Sequence, residues 1–235
     1  YAIFHEMGDQ PMRVASLVTL GQLHLERGNL NPCRMYSQTA LELAKTLGQH
    51  AQAIRATLIL AQAELADEPG PNLAPQLLEA MDLCKQTNQV AILPEVYRLL
   101  AQVYVALHDP VEGEKFARLG REVVEEDDHY SQGTTWYALA LTLAAQPGRQ
   151  PEAEEVFHKA LEQLEEAEEG FEIGDGHLAY AVFLMDNGRA DEAGDHLDKA
   201  HEAFTAIGTR DRLARIEDLR TRLEPAGMGS VSTLA

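Results

Sequence analysis

Apolar residues in this chain recur at helical spacing. Leu17, Leu20 and Leu25 form one such set, and Tyr36, Ala40, Leu43 and Leu47 form the next. Residues three to four apart share one face of a helix, whereas a half-buried strand alternates. No stretch alternates in that way, so the pattern predicts helices along the chain. Between them stand residues that do not continue a helix. Arg27-Gly28-Asn29, Glu68-Pro69-Gly70-Pro71, His108-Asp109-Pro110, Pro147-Gly148-Arg149 and Asn187-Gly188-Arg189 form one set of breaks. Leu47-Gly48, Thr87-Asn88, Asp127-Asp128, Glu169-Gly170 and Ile207-Gly208 form the other, with residues suited to helix ends and left-handed turns. Helix starts follow the first set: Asn31 before Pro32, and Asp109 before Pro110 with Glu112 three residues on, are N-cap and first-turn chemistry.

Both sets of breaks keep one period. Small residues stand at Ala40, Ala80, Gly120, Ala160 and Ala200, a spacing of forty. A period of this length means one supersecondary unit copied and stacked, each copy unable to bury its apolar face without a neighbour. Two breaks per period make each unit a pair of helices.

The fifth copy is the clearest, with Leu178-Ala179-Tyr180-Ala181, then Asn187-Gly188-Arg189-Ala190-Asp191-Glu192-Ala193, then Leu197 and Ala200. The fourth supplies Trp136, Leu139 and Ala140, followed by Ala153, Phe157 and Ala160. Small residues where two helices cross, a Gly in the turn and a bulky apolar residue between the last two alanines resemble the tetratricopeptide repeat (TPR) family, in its longer forty-residue form. The resemblance implies an all-α fold, a right-handed superhelical solenoid of antiparallel helix pairs. Its five repeats would occupy residues 10–48, 49–88, 89–128, 129–170 and 171–208. Leu73 in the second copy, where a small residue is expected, and Gly113 and Gly120 in the third depart from the pattern. Residues 3–9 match the end of a second helix, as in 43–49, so residues 1–9 are expected to be the end of a truncated preceding repeat. Leu213, Ile216, Leu219 and Leu223 give residues 209–224 the spacing of a capping helix, and the small, polar residues 225–235 are expected to be a disordered tail.

Composition narrows the functional classes. Residues 1–120 carry 13 acids and 9 Lys or Arg, residues 121–235 carry 25 and 10, and this acidity disfavours direct contact with nucleic acid. The acidic runs at 125–128 and 165–169 either attract a basic partner or form a solvated helix face. No apolar run has the length that a membrane span requires, and no signal peptide is visible. Cys33 and Cys84 are expected as buried free thiols, which suits a cytoplasmic protein. The chain has no phosphate loop, no GxSxG elbow and no HExxH, and its nine histidines are not grouped at metal-ligand spacing. Neither an enzymatic role nor a cofactor or metal is expected. His24 and His177 fall where the family places bulky packing residues, which predicts satisfied core imidazoles. Residues 186–192 have acids at both ends around a Gly, but they lie in the register of an inter-helix turn and lack the twelve-residue ligand pattern of a calcium loop.

In TPR arrays the first helix of each repeat lines a concave face where partner peptides lie. Carried onto this chain, the resemblance places Ala15, Val18, Gln22, Leu25 and Glu26 there from the first copy, and Arg55, Leu58, Gln62 and Leu65 from the second. The third supplies Glu95, Arg98, Gln102 and Val105. Gln22, Gln62 and Gln102 thus recur at one place. Each carries an amide donor and a carbonyl acceptor, so the row suits successive peptide groups of an extended chain; the alternative is that these amides bond to adjacent helices or water. Arg55 and Arg98 are placed to fix a carboxylate. Further along, Tyr137, Leu141, Ala144 and Ala145 and then Leu178, Val182 and Met185 are apolar. They suit hydrophobic anchors of the same ligand, a cover from another copy or a further domain, or packing between neighbouring helices. The expected function is a non-enzymatic module that binds a peptide or protein segment in its groove. The alternative is a sensor or regulatory segment of a larger bacterial transcription regulator or signalling enzyme, whose partner is another domain of the parent chain.

Overall fold

A computed structural model describes residues 9–67 and 69–223. The expected end of a preceding repeat before Asp9 and the expected tail at 225–235 lie outside the described residues. Backbone packing divides the chain into two units, one through Glu169 and one from Gly170 onward. The first holds α1 (Gln10–Glu26), α2 (Leu30–Thr46), α3 (His50–Leu65) and α4 (Leu73–Gln86), then a short 3-10 turn (Val90–Ile92) leading into α5 (Leu93–Ala106), followed by α6 (Pro110–Glu122), α7 (His129–Ala144) and α8 (Gln150–Ala167). The second holds α9 (Gly170–Asp186), α10 (Ala190–Ile207) and α11 (Arg210–Leu223). Among the described residues there is no strand, and no helix is long and apolar enough to cross a membrane.

Within the first unit each odd-numbered helix packs on the even-numbered helix that follows it, and α1, α3, α5 and α7 also pack on one another in succession. The odd helices therefore form one continuous layer. Its cause is visible in α3, which is apolar on two sides. Ala53, Ala56, Ile59 and Ala63 enter a core with Val14, Leu17 and Cys33 from the first pair. Ile54, Leu58 and Ala61 enter another with Leu77, Leu99 and Leu100. A helix buried from two sides needs apolar residues round most of its circumference, whereas one that caps the outside needs a single stripe. In α2 only Cys33, Ser37, Ala40 and Ala44 are buried. The second unit repeats the hairpin: Phe171 meets Phe204 at 5.8 Å and His177 meets His196 at 5.1 Å between ring centroids, so the contacts run in opposite directions along α9 and α10.

The turns use one recurring closure. At the end of α1, Asn29 N–H donates to the His24 carbonyl at 2.8 Å and Gly28 N–H to Leu25 at 2.9 Å, with Gly28 at φ 71°. This is the Schellman arrangement, in which a left-handed residue returns two orphan carbonyls to hydrogen bonding. The same pair of bonds closes α5, where Asp109 and His108 donate to Tyr104 and Val105 at 2.8 and 3.0 Å. His108 takes the left-handed φ of 62° there. Asp109 then caps α6 by accepting from Glu112 N–H at 3.2 Å, with Pro110 in the first turn, as its sequence predicts.

Two expected boundaries are corrected. Helix α2 begins at Leu30 after Asn29, so Asn31 is inside it. Pro32 is tolerated as the third residue because first-turn N–H groups have no helical acceptor to lose. The break placed at Glu169-Gly170 falls one residue earlier, with Glu168 as the left-handed cap at φ 57° and Gly170 already helical.

Close approach explains why the third copy carries Gly113 where Ala is usual. A Cβ there would lie 2.8 Å from the Ala101 carbonyl oxygen, so α6 reaches the backbone of α5. Between α7 and α8 the contact is as tight, since a Cβ on Gly133 would sit 2.7 Å from Leu164 Cγ and 2.9 Å from its backbone nitrogen. Gly133→Ala should therefore destabilise the protein by about 1–3 kcal/mol, because backbone cannot yield as a side chain does. Gly194→Ala, in the second turn of α10 with nothing within 4 Å of the new methyl, should instead stabilise by about 0.5–1 kcal/mol. Denaturant titration of the two variants checks both signs; a Gly133→Ala protein as stable as the parent would contradict the packing described.

Candidate functional site

The odd-helix layer of the first unit carries a chain of polar side chains on α3 and α5. Gln62 Nε2 donates to Glu95 Oε1 at 3.1 Å, joining two neighbouring helices. Glu95 also receives both the Nε of Arg98, at 2.9 Å, and its terminal nitrogen. Arg98 in turn donates to Gln102 Oε1 at 3.1 Å. The ion pair is sheltered, with the Arg98 side chain 11% and the Glu95 side chain 24% exposed. Sheltering strengthens such a pair relative to one in water, and the bidentate fork fixes its geometry. On α1, Gln22 Nε2 makes an equivalent bond to Glu26 Oε1 at 2.9 Å.

The sequence-predicted residues thus separate. Gln62, Arg98 and Gln102 are brought into one network, while Gln22 and Glu26 form a local pair one helical turn apart. Arg98 is engaged by Glu95 and is not held ready for a carboxylate. Arg55 is exposed and, among the described residues, makes no hydrogen bond or ion pair. Tyr137 and Leu141 are half-buried one turn apart on α7. Val182 is half-buried on α9 in the second unit, whereas its expected companion Leu178 is only 3% exposed and is core.

Glu95 is the hub that the glutamine repeat alone does not reveal. The local part of its signal lies in the sequence, since Glu95 and Arg98 are three residues apart and Arg98 and Gln102 four, spacings that bring helical side chains together. A second network was also unforeseen. Glu114 on α6 accepts from Arg118 on its own helix and from Gln146 and Arg149 beyond α7, at 2.6 to 3.4 Å. Burial pushes the Glu114 carboxyl up, but hydrogen bonds from Gln146, Arg118 and Arg149 outweigh it and hold the group below its ordinary value. Nearby, Arg121 lies 3.9 Å from the centre of the Trp136 ring and donates to Thr135, with burial lowering its pKa. Both clusters join helices and are occupied in doing so.

The histidines behave differently from each other. His177 is 2% exposed, and its Nδ1 lies 2.9 Å from Nδ1 of His196, so one ring donates and the other accepts. His24 stacks on Tyr36 at 5.4 Å, but its Nδ1 is buried without a hydrogen-bond partner among the described residues, so it is packed rather than satisfied. Cys33 and Cys84 are free and buried, and burial pushes the Cys84 thiol up to about 11, which keeps it protonated and unreactive.

Helix pairs, a continuous layer of first helices and left-handed turns define an all-α, TPR-like repeat fold. Solved structures of that class are similar to the chain. They include the Rap protein complexed with Competence and Sporulation Factor, with TM-score 0.62 and 14% identity over 89% of this chain and 65% of that one. BtubC (BKLC) from P. vanneervenii follows at TM-score 0.56 and 16% identity, over 88% and 98% of the two chains. A putative kinesin light chain from P. anserina, with nearly identical TPR-like repeats, gives 0.53 and 16% over 83% and 96%. The chain therefore spans 65% of the length of the Rap chain. No family model matches the sequence, and no curated protein matches it either.

Buried His177, in contact with His196, makes the second unit sensitive to acid. Burial first, then the facing His196 and Lys199, depress His177 from 6.5 to about 4. Between those values the unfolded chain binds more protons than the folded one, so His177 contributes stability above about pH 6.5 that is lost progressively toward pH 4. Urea midpoints measured across that range should fall with pH in the parent and fall less steeply in His177→Gln. Equal slopes in the two proteins would contradict this account.

Proposed function

We propose that this chain is a non-enzymatic protein-interaction module that binds a peptide or protein segment along the face formed by α1, α3 and α5. One observation carries the reading. Three glutamines recur at one place on successive first helices, and the Glu95–Arg98 pair holds two of them in fixed orientation with amide valences to spare. Holding polar groups in place before a ligand arrives reduces the ordering cost of binding. The similarity to Rap, whose structure is a complex with Competence and Sporulation Factor, supports a module that holds a partner. Arg55 supplies an available cation beside this row, and Tyr137 and Leu141 an apolar anchor on the next first helix of the layer. On this reading the segments 10–48, 49–88 and 89–128 supply the polar row, and α7 adds Tyr137 and Leu141. Two buried free thiols suit a reducing cytoplasm.

The test compares the parent chain with a Gln62→Ala, Gln102→Ala variant as baits in native cell extract. Arg98 is left intact, because removing it would strand the Glu95 carboxylate in a sheltered site. The variant should keep its helical circular dichroism and retain a captured partner about ten-fold less well, the worth of two lost hydrogen bonds. Equal capture by both baits contradicts the site. It would favour a regulatory segment whose contact is another domain of its parent chain.

A further inference from the structure

We infer that the Gln62–Glu95–Arg98–Gln102 network selects an uncharged amide, either a peptide group or an Asn or Gln side chain, and rejects a carboxylate at that point. The inference rests on the groove reading above and specifies its ligand chemistry. It follows from what each partner can do. An ionised Glu only accepts hydrogen bonds, so Gln62 must turn its NH2 toward Glu95. An Arg only donates, so Gln102 must turn its carbonyl oxygen toward Arg98. The observed contacts, Gln62 Nε2 to Glu95 Oε1 and Arg98 to Gln102 Oε1, have that orientation. The two ends of the network are therefore left with opposite characters. Gln62 keeps its Oε1 as an acceptor and Gln102 keeps its Nε2 as a donor, and no other bond to either group is made among the described residues.

The charges in the middle cancel, since Glu95 takes two nitrogens of the Arg98 guanidinium. A ligand at this point meets one acceptor on α3, one donor on α5 and, between them, a carboxylate and a guanidinium already paired with each other. A carboxylate would face the Gln62 oxygen and the Glu95 carboxylate with no proton to offer either. An ammonium would face the Gln102 NH2 and Arg98 with no lone pair. An amide supplies an N–H to Gln62 and a carbonyl to Gln102, and leaves none of the four groups unpaired. Unpaired sheltered polar groups are what make such sites discriminate strongly.

Random peptides displayed on phage and selected on the full 235-residue chain provide the probe, and the selected peptides are then titrated against variants. Gln102→Glu leaves an oxygen for Arg98 but replaces the spare donor by an acceptor, and should weaken selected peptides about ten-fold or more. Loss of binding on N-methylation of one peptide bond identifies a backbone amide as the ligand group, and loss on replacing an Asn or Gln of the peptide by Ala identifies a side-chain amide. Peptides that bind Gln102→Glu as tightly as the parent, or that depend on an acidic residue and on neither kind of amide, would overturn the inference. If those same peptides lose affinity in Tyr137→Ala, the groove reading survives that failure. If no peptide is selected, or none responds to any of the Gln62→Ala, Gln102→Glu and Tyr137→Ala changes, both the groove reading and the amide inference fall.

Discussion

A first helix that lies between two others must be buried from two sides, and much of what the first unit displays depends on that requirement. Helix α3 belongs to two cores at once, one shared with the first pair and one with α4 and α5. Neither core is complete without it. Stability in such an arrangement is a sum over neighbouring interfaces rather than the property of one centre. Places of closest approach, such as Gly133 against Leu164 and Gly113 against the Ala101 carbonyl, are correspondingly unforgiving.

The same requirement decides where polar side chains can stand. With both flanks of a first helix committed to its neighbours, only a narrow stripe is left for polar residues. On α3 and α5 that stripe holds Gln62, Glu95, Arg98 and Gln102. Their packing side by side brings residues 33 positions apart within 3.1 Å. Helix stacking thus turns a sequence period into a row of side chains, and the internal salt bridge fixes which amide atoms of that row are offered outward. The second unit uses its polar residues differently, pairing Arg212 on α11 with Asp175 on α9 at 2.7 Å and burying His177 against His196.

How much of this could be read from the chain depends on whether the determining contact is local. Helix pairing, the αL turns and the Asp109 cap follow from short-range chemistry, and the sequence shows them. Boundaries misread at Asn31 and at Glu169-Gly170 show its limit, because a Pro in the third helical position and a non-glycine left-handed residue are both permitted without being demanded. The site was half legible. The glutamine row stands out by its period, and one of its two readings, bonding to an adjacent helix, is what Gln62 does with its NH2 while its oxygen stays available. The role of Arg98 was not legible, because whether an arginine on a helix is free for a ligand depends on the register that sets Glu95 between it and Gln62. Leu178 could not be told from Val182 for a related reason, since one helical position decides whether a side chain enters the core.

A crystal structure of the full chain bound to a captured or selected segment tests the central claim most directly. The account predicts an extended segment lying across α1, α3 and α5, with a carbonyl within hydrogen-bond distance of Gln102 Nε2 and an N–H facing Gln62 Oε1. A segment seated instead on the even-numbered helices α2, α4 and α6, leaving both glutamines untouched, would contradict it.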